Sequence, residues 1–305
     1  MSQHIWTPSS ADAAIAEVRA QLMTLDPNGS RMAEVFRRTF DQLYDGQHTG
    51  RYRLDQLFKT EKTHFGTLIE INLQRELKLN DGQTLDFSIK GHEVDCKYSH
   101  TGAWMLPIES FDQIVLVTQA DDLQSTWSAG LVRVTELNRR TSENRDRKTG
   151  LNTRGRDDIS WLFKDAQMPP NALLSLPEEE VERIMGARSG QARINELFRR
   201  ATNRRLTRSI IATVAQQDDF MKRVRENGGA RTALRPEGYL ILGGDYSGQR
   251  TTAEALGSVV PQPGELVSVK VVPAAPNNGV RIDHAWWRLA LDDEEATQPA
   301  PVVSR

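Results

Sequence analysis

The 305-residue chain is poor in cysteine, with Cys96 as its single thiol. One thiol excludes a disulfide framework and any zinc site built from several cysteines. Long apolar runs are also missing: none approaches the ~18–20 residues that a membrane-spanning helix needs, and mean hydropathy is −0.54. Met1 to Ser10 lacks a basic region followed by an apolar stretch, so no secretory signal is read there. No internal repeat is found. These absences predict a soluble, cytoplasmic protein with no membrane partner. Hydrophobic residues still make up 38% of the chain and charged residues 26%, so packed cores are expected rather than disorder. At roughly 100–200 residues per domain, the length predicts two domains.

Net charge is small, at −2, but the charges are unevenly placed. Val181 to Arg235 holds 13 Lys and Arg against 5 Asp and Glu, a net of +8, which leaves −10 for the remainder. Such a basic segment in an acidic protein is the footprint of a phosphate-backbone binder. The plainer reading is a solvated helical face.

The first half opens with helices. Ser9-Ser10 is a candidate cap for a helix carrying Ile15, Val18 and Leu22 on one face. Asp26-Pro27-Asn28-Gly29 reads as a turn. A second helix starts near Ser30, with Met32, Val35, Phe36 and Leu43 on one face, and ends near Asp45-Gly46 with Gly46 as its C-cap. A third is expected over Thr63 to Leu79, with Phe65, Ile69, Leu73 and Leu77 inward. Strands follow at Thr84 to Ile89, Glu93 to Ser99, Ile114 to Val117 and Ala129 to Val134. Thr141 to Asp158 reads as a mobile polar loop, and Met168-Pro169-Pro170-Asn171 as a linker. The second half runs from helices to short strands at Tyr239 to Leu242, Leu266 to Val272 and Trp286 to Ala290. The acidic, Pro-containing tail from Asp292 is expected to fray. The order of elements describes an α/β or α+β fold with a mixed sheet.

Chemistry concentrates in Leu85 to Tyr98. A two-residue turn at Gly91-His92 would set Lys90 opposite Glu93, Ile89 opposite Val94, Ser88 opposite Asp95, Phe87 opposite Cys96 and Asp86 opposite Lys97. Apolar pairs then share one face and polar pairs the other. Asp86, Asp95 and Lys97 form one cluster. Two carboxylates on a rigid sheet suit a hard, oxygen-loving cation such as Mg²⁺, and a neighbouring ammonium suits water orientation or charge on a phosphate. Glu70 lies at i, i+3, i+7 with Leu73 and Leu77, at the edge of a buried face. A carboxylate aimed there is costly unless a cation or donor meets it. The plainer reading is an exposed sheet face with an ordinary Asp–Lys pair.

Glu70, Asp86 and Asp95-Cys96-Lys97 resemble the PD-(D/E)xK nuclease motif, with Leu85 in place of the motif's proline. Several segments resemble more specifically the NaeI-type restriction endonucleases. In the first half these are Asp41 to Gly46, Lys59 to His64, Glu70 to Leu73 and Gly102 to Pro107. In the second half they are Gln191 to Arg200, Ile211 to Arg225 and Leu234 to Gly238. The resemblance implies a restriction-endonuclease-like nuclease domain, expected over residues 1–165, with a mixed central sheet flanked by helices. A winged-helix-like DNA-binding domain is expected over 166–305. It implies a type II, type IIE-like, Mg²⁺-dependent homodimer that hydrolyses duplex DNA at a palindrome and binds a second copy of its site as effector. GCCGGC is the namesake site of that family. Carried over, Glu70, Asp86, Asp95 and Lys97 would be catalytic; Glu70, Asp86, Asp95 and the Cys96 main-chain carbonyl would hold the metal.

In the second half, Ile194, Leu197, Phe198 and Ala201 make the core face of a helix expected over 191–206, with Arg193, Arg200 and Arg204 on an adjacent stripe. Arg199, Arg205, Arg208 and Arg231 add positive charge. Another helix is expected from Asp218 to Glu226, with Gln216-Gln217 near its start, Lys222, Arg223 and Arg225 along it, and Gly228-Gly229 ending it. These side chains are the candidate DNA contacts, because Arg suits both phosphates and guanine edges. Helix, helix, Gly turn and β-ribbon suit a winged helix-turn-helix. The rival function is a winged-helix regulator without catalysis, which has no need of the acidic cluster and Lys97.

Leu43-Tyr44-Asp45-Gly46 echoes the Lys-x-Asp-Gly motif of nucleotidyl-transferring ligases, but leucine cannot form a phosphoamide, so no ligase activity is expected. His64, His92 and His100 lack partners at zinc-ligand spacing. Trp286-Trp287 reads as core and ribbon, and Cys96 as an apolar filler.

Overall fold

The computed structural model describes residues 12–276, 278–292 and 294–303. The chain divides into two compact units, one of Met1–Leu43 and Leu57–Pro170, the other of Tyr44–Gln56 and Asn171–Arg305. Among the described residues no helix is long and apolar enough to cross a membrane.

In the first unit, helix α1 (Ala13–Leu25) is capped by Asp12, whose carboxylate accepts from the N–H groups of Ala14 and Ile15. Ser9 and Ser10, expected to cap it, lie outside the described residues. Helix α2 (Ser30–Tyr44) buries Met32, Val35, Phe36, Phe40 and Leu43. The Asp26 carboxylate fastens its start by accepting from the N–H of Met32 at 2.8 Å. A short helix α3 (Gly46–Thr49) follows, and belongs to the other unit. Helix α4 (Lys59–Leu77) starts where Glu61 accepts from the Phe58 N–H at 2.8 Å. It buries Phe65, Ile69, Leu73 and Leu77, the stripe the periodicity predicts.

A six-stranded sheet runs in the order β1 (Asn80–Asp81), β2 (Phe87–Ile89), β3 (His92–Tyr98), β4 (Ile114–Asp121), β5 (Thr126–Arg133) and β6 (Ser160–Gln167). Only β3 and β4 pair parallel, so the sheet is mixed. Strands β4 and β5 lie inside the sheet and bury Val115, Val117 and Val132. Edge strand β6 lacks a readable pattern because Lys164 and Asp165 interrupt it. Asp165 turns left-handed there, with its N–H on Ser128 Oγ.

The segment expected to be a mobile loop is instead pinned. Thr149 exchanges backbone hydrogen bonds with Leu106 at 2.8 and 3.0 Å, and Asn152 donates to the carbonyls of Leu137 and Arg139. Helix α5 (Thr153–Asp157) lies within it. Asn144, Thr149 and Asn152 satisfy the segment's own backbone, which composition alone does not distinguish.

The second unit carries α6 (Glu178–Met185), α7 (Gly190–Arg200), α8 (Arg208–Ala215), α9 (Ala230–Leu234) and α10 (Ser247–Ala255). Its four-stranded antiparallel sheet has the order β7 (Tyr239–Gly243), β8 (Leu266–Pro273), β10 (Ala285–Leu289), β9 (Val280–Ile282). One core gathers Ile194, Leu197, Phe198, Ile211 and Val214 from the helices. A second gathers Leu240, Val267, Val269 and Trp287 from the sheet.

Three expectations are corrected here. Helix α7 ends at Arg200, because the chain then turns to pair with β8: Asn203 is left-handed and its N–H bonds the Ser268 carbonyl at 2.8 Å. Arg204 therefore leaves the helical stripe. The helix expected over Asp218 to Glu226 is only a 3₁₀ turn, Phe220–Arg223. Gln216 is already left-handed ahead of it and Gly228 behind it, leaving too few residues for a helical ladder. The tail expected to fray is seated over its described residues, 294–303, with Asp293, Ser304 and Arg305 lying outside them. Ala300 is fully buried and exchanges two 2.8 Å hydrogen bonds with Arg235, one to the backbone carbonyl and one from Nε.

Gly46 is not a C-cap. Asp45 takes the left-handed conformation that ends α2, and Gly46 opens α3 against α8, where a Cβ would lie 2.1 Å from Thr213 Oγ1. Gly46→Ala is expected to destabilise the protein by about 1–3 kcal/mol through overpacking, with Thr213→Ala restoring part of the loss. Denaturant midpoints of the single and double variants check this.

Candidate active site

The site grows out of the β2–β3 hairpin. Its turn is Lys90-Gly91, both left-handed (φ 55° and 82°), rather than Gly91-His92. Ile89 therefore pairs with His92, Ser88 with Glu93 and Phe87 with Val94. Two consecutive positive-φ residues match the twist of a hairpin, and glycine at the second makes that inexpensive. The register differs from expectation by two residues, an even number. Each side chain therefore keeps its face, and Asp86, Asp95 and Lys97 remain together.

Glu93, expected opposite Lys90, has a different task. Its carboxylate accepts the N–H groups of Gln83, Thr84 and Leu85, each at 2.9 Å, and shapes the turn that delivers Asp86. Those donors hold its carboxyl below the usual glutamate range. Asp86 then accepts the Cys96 N–H on Oδ2 at 2.7 Å.

Asp95 is buried on β3, at 4% exposure, with both carboxylate oxygens engaged. Oδ1 receives a very short bond from the Lys97 ammonium, and Oδ2 the Ser110 hydroxyl at 2.5 Å. Ser110 is fully buried in the crossover between β3 and β4. It escapes a sequence reading because only the crossover brings it beside Asp95. Lys97 Nζ lies 3.1 Å from the Cys96 carbonyl and 3.8 Å from Asp86 Oδ2. Three oxygens thus surround one positive charge. The Cys96 thiol is buried away from water, and burial pushes it well above the usual thiol range.

Glu70 projects from α4 and is half-buried. Burial raises its carboxyl above the ordinary range; the charges of Asp86 and Asp95 add to the rise and Lys97 opposes it. Asp86 is raised too, first by burial, against the pull of the Cys96 N–H. Burial works to lower Lys97, but its bond to Asp95 and the charges of Asp95 and Asp86 keep it above the usual lysine range. Asp86 and Asp95 thus flank the Lys97 ammonium, and Glu70 on α4 is close enough to respond to the charges of all three.

The donor set fits a hard divalent cation. Among the described residues no group of three or more His, Cys, Asp or Glu side chains is placed to hold a metal ion, so the protein side chains by themselves do not make a full shell. Two carboxylates and a main-chain carbonyl, with waters and phosphate oxygens completing the shell, are what Mg²⁺ commonly uses.

The candidate DNA contacts of the second unit sit differently. Arg193 donates to the carbonyls of Val214 (2.6 Å) and Ala215 (2.8 Å), closing the C-terminus of α8. Arg199 binds Glu237 and Glu196, and Arg200 binds Glu180 and Glu196. Arg204 reaches Ser175, Arg205 the Val260 carbonyl and Glu265, and Arg208 Asp245. Lys222 and Arg223 share Asp219, Gln217 bonds the same residue, and Arg231 meets Gln249 and Glu226. Gln216 is the left-handed cap of α8. Arg225 is exposed, and its side chain has no hydrogen-bond or ion-pair partner among the described residues. Most of the positive charge counted along 181–235 is thus matched locally.

A raised carboxyl implies a sign for stability. The Glu70 contribution is full below the unfolded-state pKa and is lost as pH rises through the folded-state pKa. In the metal-free protein near pH 8, Glu70→Gln is therefore expected to raise the thermal midpoint, the gain shrinking as pH falls toward the carboxylate range. A wild-type midpoint equal to or above that of the variant at the higher pH rules this out.

A family model described as restriction endonuclease NaeI matches residues 16–298. The chain is also 48% identical to the type II restriction enzyme NaeI of Lentzea aerocolonigenes, over 96% of this chain and 95% of that protein. With the match spanning both units, the chain belongs to the NaeI restriction endonuclease family.

Proposed function

We propose that this chain is a Mg²⁺-dependent, type IIE-like enzyme that hydrolyses duplex DNA at a palindromic, GC-rich site, with GCCGGC as the sequence to test first. In this reading it acts as a homodimer and binds a second copy of its site as effector. The observation that carries the catalytic part is the Lys97 ammonium held between Asp86 and Asp95 on one sheet face, with Glu70 facing them from α4.

Asp86, Asp95 and the Cys96 carbonyl would hold the cation, with Glu70 supporting it or its water shell. A divalent ion at such a site supplies charge neutralisation on the scissile phosphate and makes bound water more acidic. Lys97 orients the attacking water and stabilises the charge that develops on the phosphate oxygens. Ser110 and the Cys96 N–H keep the two carboxylates aimed. In an in-line displacement, a new bond forms between water oxygen and phosphorus, the ester P–O bond breaks, and the leaving oxygen takes up a proton.

The proposed domain roles put the nuclease in the first unit and a winged-helix-like DNA-binding module in the second. Helices α7 and α8, joined by a short connection, support the latter, and the unit closes on the β9–β10 ribbon after α9, β7, α10 and β8. The left-handed pair Asp283-His284 gives that ribbon a tight tip.

Plasmid digestion with Mg²⁺ is expected to yield discrete fragments, with Asp95→Ala and Lys97→Ala each slowing cleavage by about 10²-fold or more. Undiminished cutting by either variant removes that residue from the site. For the second unit, Arg204→Ala and Arg225→Ala are each expected to reduce the steepness of the log affinity–log salt relation by about 0.9. Arg193→Ala is expected instead to destabilise the fold by about 1–3 kcal/mol, since it strips two carbonyls of a charged donor. Salt titrations and denaturant midpoints on the same three variants separate the two roles.

A further inference from the structure

The second unit pairs most of its arginines, but one basic segment of the nuclease unit does not. Residues 139–156 carry seven Lys and Arg against two Asp and Glu. Arg140, Lys148 and Arg156 line a cavity of about 230 Å³ whose opposite wall is Trp104-Met105. All three cations are exposed, and none has a side-chain hydrogen bond or ion pair among the described residues. Glu143 is the one carboxylate among the residues that line the cavity. Gathering three like charges at one hollow is unfavourable unless an anion is met there.

The cations stand on a fixed frame. Leu106 and Thr149 exchange two backbone hydrogen bonds, the Arg140 N–H bonds the Gly150 carbonyl at 2.8 Å, and the Thr149 hydroxyl bonds the Arg140 carbonyl at 2.9 Å. Asn144 Oδ1 holds the N–H groups of Asp146 and Lys148 at 2.9 Å. Four residues beyond Leu106 is Ser110, which holds Asp95. A wall of the cavity and a support of the site are therefore one continuous stretch of chain.

We propose that this cavity is a DNA phosphate clamp of the nuclease unit, in which Arg140, Lys148 and Arg156 grip backbone phosphates of the DNA being cut. The inference rests on the nuclease reading and adds to it a specific contact surface. The clamp holds the duplex in register with Asp95 through the Leu106–Ser110 segment.

The test uses full-length protein and the same DNA throughout. Wild-type cleavage in Mg²⁺ is scored first, and failure to cut removes the nuclease reading itself. Binding without Mg²⁺ is then measured over a salt series for wild type and for Arg140→Ala/Lys148→Ala/Arg156→Ala. A control variant, Arg75→Gln/Lys78→Gln/Lys164→Gln, removes as many exposed cations from the same unit. The clamp variant is expected to bind at least tenfold more weakly, with a salt slope shallower by about 2 to 3, close to 0.9 for each phosphate no longer neutralised. Its thermal midpoint should stay near wild type, and the control should bind as wild type does. Inorganic phosphate, titrated as competitor at constant ionic strength, distinguishes free anion from DNA. Binding by the clamp variant equal to wild type overturns the inference. So does an equal loss in the control, or saturation by inorganic phosphate with DNA affinity unchanged in the variant.

Discussion

Everything at the candidate site depends on burying negative charge without fully neutralising it. Asp95 is held inside the sheet with each oxygen occupied, and the Lys97 ammonium lies between it and Asp86. Glu70 then faces two acids with one nearby cation. Leaving charge unmatched in a half-dry place is costly. A hydrophobic substitute would relieve that cost, but it would also remove the groups that the proposed reading assigns to a divalent ion and a phosphate. The excess charge is what makes the site receptive.

The scaffold limits how far these groups can relax. Strand β3 is paired on both sides, antiparallel to β2 and parallel to β4, so Asp95 and Lys97 share one face at fixed spacing. Glu93 gathers three consecutive N–H groups and sets the turn before Asp86, while Ser110 reaches Asp95 from the crossover. Neither touches phosphate in the proposed mechanism; each narrows the positions open to a residue that does. Such support is what preorganised electrostatics requires.

Positive charge is distributed by the same logic. In the second unit, arginines close a helix end or sit between glutamates, so their net field is smaller than a count along 181–235 suggests. In the first unit, the cations of 139–156 that line the cavity stand without such partners among the described residues, on a frame tied by backbone and Asn or Thr side chains. Charge counted along a chain measures supply. What is left to offer a polyanion depends on which acids fold against it.

Local pattern already carried a great deal. The apolar stripes of α2 and α4 follow from spacing, because a helix places every third and fourth residue on one face. Alternation placed Asp86, Asp95 and Lys97 on one face of a hairpin, and that grouping holds despite the different turn, since parity is unchanged by a two-residue shift. The quoted motifs pointed to the family. Other features depend on residues distant in sequence: the Ser110 bond to Asp95, the Gly46 contact with Thr213, the seating of Ala300 on Arg235, and the pairing of the arginines. Sequence alone determined which side chains share a face, because that is set by the pitch of helix and strand. Only tertiary structure decided which charges are answered and which are left over, because Coulomb energy and desolvation depend on distances that chain order does not contain.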